Sequence, residues 1–92
     1  MFAVVLFSIN RLHSQYSMEQ AEFEVYVKNV GEHIVQLRQA KGLTQVELAS
    51  RMDIEDSALR RIEKGRTNPT LKTLYLIAHE LEVPLQELFT ID

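Results

Sequence analysis

The 92-residue chain has no Cys and no Trp, and it has only two Pro and three Gly. Without thiols there can be no disulfide framework, no thiolate zinc site and no cysteine nucleophile. So few backbone breakers leave room for long helices. The longest apolar run, Met1 to Phe7, falls far short of the roughly 20 residues that a membrane span needs. It also lacks the basic n-region and small-residue cleavage site of a secretory signal. Net charge is -3, so no wholesale basic footprint for nucleic acid is present. At 46% hydrophobic and 25% charged, the composition is that of an ordinary globular domain. Such a domain holds one core and leaves little for a deep catalytic cleft.

The overall charge conceals an asymmetry. From Met1 to Val27, Arg11 is the only base against Glu19, Glu22 and Glu24. From Lys28 to Asn68, eight bases face six acids; after Lys72 only Glu80, Glu82, Glu87 and Asp92 follow. A mildly basic middle between acidic ends fits either an ordinary solvated surface or a segment that meets phosphates.

Met18 opens a sequence of different character from the residues before it. The first 19 residues are expected to be an N-terminal extension, extended or poorly ordered, with Met18 as the functional start. Phe2, Val4, Val5, Leu6, Phe7 and Ile9 are strand-prone, so this stretch could instead pair with its copy in a second chain.

Beyond it the pattern is helical. Phe23, Val27, Val30, Ile34 and Leu37 recur at steps of four and three, which predicts a helix from about Ala21 to Lys41. Gly31 within it costs about 1 kcal/mol relative to Ala. Gly42 suits a left-handed helix end. Thr44 to Glu47 fits a capping box and starts a short second helix carrying Leu48, Ala49 and Met52. A third helix begins near Glu55, holds Leu59 and Ile62, and ends at Gly65. Thr70 is the expected N-cap of a fourth, with Leu71, Leu74, Ile77, Ala78 and Leu81 facing inward. Pro84 suits the first position of a last helix with Leu85, Leu88 and Phe89. The expected class is all-α with five helices.

Two short helices joined by a tight break form a helix-turn-helix, whose second helix can enter a major groove. The residues sharpen this. Leu37-Arg-Gln-Ala-Lys-Gly-Leu-Thr-Gln-Val-Glu-Leu-Ala49 and Leu59-Arg-Arg-Ile-Glu-Lys-Gly-Arg-Thr-Asn-Pro-Thr-Leu71 closely resemble the Cro/phage-repressor (xenobiotic-response-element) family of transcription regulators. Leu74 to Phe89 resembles the closing helices of the same domain. The resemblance spans roughly Val30 to Phe89 and implies a compact five-helix, lambda-repressor-like DNA-binding domain over residues 20–92.

It also implies roles for particular residues. Gln45 matches a Gln that holds a phosphate and braces the recognition helix. Ala49 matches the small residue where the two helices cross. Arg38 and Glu63 match a partly buried salt bridge. Asp56, Ser57, Ala58, Arg60 and Arg61 lie on the exposed side or leading end of the third helix; positions matching Asp56, Ser57 and Arg61 reach bases in relatives, and Arg60 is expected at bases beside them. Arg can make a bidentate pair with guanine, and Ser can bond to several base edges. Lys64, Arg66, Thr67 and Asn68 are expected at phosphates, where they would set register rather than specificity. Three positions depart from the family pattern. Asp56 stands where a neutral or basic residue is usual, Glu55 where Ser or Thr caps, and Asp53 where the turn has Gly. Asp tolerates the left-handed backbone of such a turn.

His13, His33 and His79 have no metal-site spacing and are expected at the surface. No nucleophile elbow or phosphate-cradling glycine loop is present, so neither an enzyme nor a cofactor or metal is expected. Tyr75, Leu85, Phe89 and Ile91 could be plain core, but the resemblance implies a symmetric dimer contact at the last helix, with Leu85, Phe89 and Ile91 expected there. The expected protein is therefore a cytoplasmic homodimeric repressor bound to a double-stranded DNA operator, with no membrane role. The alternative is an interaction module of the same fold, or an antitoxin paired with a toxin or other protein partner.

Overall fold

The computed structural model describes the backbone of residues 2–90 and the side chains of residues 17–90. Four α-helices and a 3-10 helix follow in order: α1 (Phe2–Ala40), α2 (Gln45–Arg51), α3 (Asp56–Glu63), α4 (Leu71–Glu80) and the 3-10 segment Leu85–Phe89. The described residues contain no strand. None of their helices is long and apolar enough to cross a membrane.

α1 departs most from the sequence reading. It starts at Phe2 instead of near Ala21, and the strand-prone stretch is helical. β-branched and aromatic residues cost a helix only a few tenths of a kcal/mol each, and no Pro or Gly interrupts the chain before Gly31. An extended stretch needs a neighbouring strand, and the described residues offer none. The 39 residues of α1 span about 58 Å.

The short helices begin where their caps direct. Thr44 is extended, and its hydroxyl accepts from the Glu47 amide at 3.1 Å. The Glu47 carboxylate accepts from the Thr44 amide at 3.2 Å, which closes the box. Thr70 likewise accepts from the Thr73 amide at 3.1 Å. The turn between α2 and α3 holds Asp53 in the left-handed region at φ 56°. The last segment is 3-10, not the α-helix expected there, because five residues after Pro84 complete little more than one turn. Its amides therefore bond three residues back, as from Glu87 to Pro84.

Ile34, Leu48, Leu59, Ile77, Leu81 and Leu88 are the largest fully buried side chains. They gather all five elements around one core. Three side-chain placements correct the sequence reading. Leu71 is 67% exposed instead of facing inward, because it opens α4 one turn before Leu74 enters the core. Tyr75 is exposed and stacks on His79 with ring centroids 6.3 Å apart. His33 is half-buried instead of on the surface; its Nε2 lies 2.8 Å from the Glu87 carbonyl and ties α1 to the 3-10 segment.

α1 meets the end of α3 backbone against backbone. A Cβ at Gly31 would lie 2.5 Å from the Ile62 carbonyl oxygen and 2.6 Å from that of Glu63. Gly65, at φ +69°, approaches Lys28 from the other side, where a Cβ would sit 2.6 Å from the Lys28 Cα. No other residue type fits at either contact.

Candidate nucleic-acid interface

Helix α3 is apolar on one side only. Leu59 and Ile62 enter the core, and Glu63 is buried beside them. Arg60 and Arg61 are exposed on the other side, and Asp56 and Ser57 are half-buried at the leading turn. The seating of α3 is therefore decided by its inner face.

That inner face is fixed by a polar cluster. The Arg38 Nε donates to Glu63 Oε2 at 2.7 Å and its Nη2 to Glu63 Oε1 at 3.2 Å. The Arg38 Nη1 donates to the Leu43 carbonyl at 2.8 Å, which pins the loop after α1. Gln45 Nε2, at the start of α2, donates to Glu63 Oε1 at 2.7 Å. One carboxylate thus joins α1, α2 and α3. Bidentate guanidinium geometry makes such a pair directional as well as strong. Gln45 is half-buried, and its amide keeps a second N–H and a carbonyl oxygen for another partner.

The leading end of α3 is built differently. Glu55 occupies the N-cap position without making a cap hydrogen bond. Its carboxylate instead accepts from the Ser57 hydroxyl at 3.4 Å, and Asp56 pairs with Arg60 at 3.3 Å, one turn on. Two acids at a helix N-terminus are favourable to its dipole. Four of the five residues expected at phosphates follow α3 directly: Lys64, Arg66 and Asn68 are exposed, and Thr67 is half-buried. Lys28 of α1 borders the same loop. The site residues expected from sequence therefore fall into two groups, a buried brace and an outward face with its adjoining loop.

Of the residues expected at a dimer contact, Leu85 is half-buried against the core and Phe89 is 49% exposed. Ile91, also expected at a dimer contact, lies outside the described residues. An exposed ion pair joins Lys41 to Glu82 at 2.9 Å, and the Lys41 ammonium holds the Glu82 carboxyl below its usual value. Among the described residues no group of His, Asp and Glu could hold a metal ion. Sequence reasoning missed two contacts near the site. One is the His33 bond to the 3-10 segment; the other is the reason for Gly31, which the helical period registered only as a cost.

A helix-turn-helix family model matches residues 34–88, more than half of the chain. The chain belongs to the helix-turn-helix family. Among its relatives, an uncharacterized HTH-type transcriptional regulator, y4dJ of Sinorhizobium fredii, is 44% identical over 63 residues. That match covers 68% of this chain and 82% of the relative. The immunity repressor protein of Bacillus phage phi105 is 41% identical over 54 residues, 59% of this chain but only 38% of that longer protein. Among solved structures, the restriction-modification controller protein C.AhdI from Aeromonas hydrophila superposes with a TM-score of 0.67 at 32% identity. It covers 68% of this chain and 96% of its own. The family match begins at Ile34, so the N-terminal four-fifths of α1 lies outside the part that defines the helix-turn-helix family.

Proposed function

We propose that this protein is a sequence-specific DNA-binding transcriptional regulator, a cytoplasmic homodimeric repressor that lays α3 in the major groove of its operator. One observation carries the reading. The inner face of α3 is locked by Leu59, Ile62 and the Arg38–Glu63–Gln45 cluster, while Arg60 and Arg61 stay exposed beside a loop bearing Lys64 and Arg66. In this reading Asp56, Ser57, Arg60 and Arg61 meet base edges. Gln45, Lys64, Arg66, Thr67 and Asn68 hold phosphates. Leu85 and Phe89 lie at the contact between copies. Two half-sites about one helical turn apart would supply the specificity that one small domain lacks.

The test is capture of fragmented genomic DNA near physiological salt, followed by sequencing. Enrichment of an inverted repeat is expected, with binding that falls steeply as salt is added. Arg61→Ala should relax base preference, whereas Lys64→Ala should weaken all sequences alike and lower the salt slope by about one. Glu55 and Asp56 favour a second reading, an interaction module or toxin-partnered antitoxin, because acids at the leading turn repel phosphate. Absence of any enrichment over input DNA would select it.

A further inference from the structure

The leading turn of α3 presents an acceptor and a donor that are already joined. Asp56 and Arg60 stand one turn apart on the same face, and Arg60 Nη2 donates to Asp56 Oδ2 at 3.3 Å. Each side chain is 48% exposed, so the pair lies at the surface and adds little to folding. It does set where each group points. The guanidinium uses one of its five N–H donors on the carboxylate, and Asp56 keeps its other oxygen for a second partner. The neighbours differ. The Ser57 hydroxyl turns to the Glu55 carboxylate at 3.4 Å, and Arg61 forms no ion pair with any described residue.

In the major groove the four bases divide by the group beside the ring. Cytosine and adenine present an amine that donates, whereas guanine and thymine present a carbonyl oxygen that accepts. A carboxylate accepts from the first two and repels the second two. A guanidinium donates in a pair to guanine O6 and N7. Side chains held 3.3 Å apart meet base edges that lie equally close, on one base pair or on neighbouring pairs.

We propose that Asp56 and Arg60 act as one reading unit. It accepts cytosine or adenine beside a guanine, and it rejects guanine or thymine at the Asp56 position. The proposal rests on α3 lying in the major groove and goes beyond that reading by naming the bases. Pairing also settles the charge at this turn, because Arg60 offsets Asp56 within hydrogen-bond distance. Without Asp56, Arg60 would be a long cation able to swing to any phosphate, which adds affinity but no preference. The acid turns a phosphate binder into a base reader.

The test is selection of bound sites from a randomised DNA pool by the full-length protein, followed by sequencing. Wild type should select one position that favours cytosine or adenine over guanine and thymine by about tenfold, with a guanine beside it. Asp56→Ala should lose that preference and weaken the guanine. It should also bind random DNA more tightly, with a salt slope steeper by about one. Asp56→Asn should move the preference to adenine, which pairs with an amide through two hydrogen bonds. Arg60→Ala should lose the guanine, and the double variant should lose no more discrimination than the worse single one. Far-UV circular dichroism should show every variant folded. A wild-type motif that survives Asp56→Ala unchanged at every position would overturn the proposal while leaving the DNA reading intact. Losses that simply add in the double variant would also overturn it. No motif from wild type would overturn the DNA reading itself, and the proposal with it.

Discussion

Helices α2 and α3 begin alike and are closed unlike. Each starts after an extended residue, Thr44 at ψ 165° and Glu55 at ψ 145°. Thr44 and Glu47 satisfy two first-turn amides reciprocally, whereas Glu55 caps nothing. The helix proposed to read DNA is therefore the one whose start carries no local clasp. Its position comes from its other end, where Glu63 is held by α1 and α2 together. The scaffold helix is stabilised by neighbours in sequence and the reading helix by neighbours in space. That division leaves the outward turn of α3 free to vary without unseating it.

The largest effect should come from the tertiary side of this division. Glu63→Gln leaves the Arg38 guanidinium buried without its counter-charge, and a loss of about 3–5 kcal/mol is expected in urea unfolding. Replacing both partners with Met should cost much less, because no orphaned charge remains. Local closure is the next lever. Thr44→Ala should cost about 1 kcal/mol, whereas Glu55→Ser should gain up to about 1 kcal/mol by supplying the missing cap. Equal losses from the two changes would erase the contrast between the helices. The smallest effect concerns the Lys41–Glu82 pair, outside both helices. The Glu82 carboxyl is held below its ordinary value, so its stabilisation is in place above that value and fades as pH falls through the lowered one. The melting-temperature difference between wild type and Lys41→Met should therefore be present at neutral pH and shrink in acid.

The same division explains what could be read from sequence. Local clasps announce themselves: Thr44 with Glu47, and Thr70 ahead of Thr73, mark helix starts that the structure reproduces. Four- and three-residue spacing anticipated Leu48, Leu59, Ile77 and Leu81 in the core. Failures came where spacing competes with side-chain type or where contact partners are distant in sequence. Phe2 to Ile9 is rich in strand-forming residues, and only the lack of a breaker and of a pairing strand decides for helix. Leu71 matched the apolar period but sits too early in α4 to reach the core. His33 carried no local signal of its bond to a carbonyl 54 residues away. The proposed base-contacting residues stood out only through family resemblance, because an exposed Arg on a helix has no spacing of its own.

The two close approaches on α1 amount to a register pin. The residues flanking Gly31, Val30 and Glu32, both carry a Cβ, and the Ile62 carbonyl leaves 2.5 Å where one would stand. Sliding α1 by a single residue along the end of α3 is therefore sterically closed in both directions. Arg38 lies two helical turns beyond Gly31, on the same side of the rod. Once the glycine has found its notch, the guanidinium is already opposite the Glu63 carboxylate. A missing side chain sets the address at which the charged ones meet.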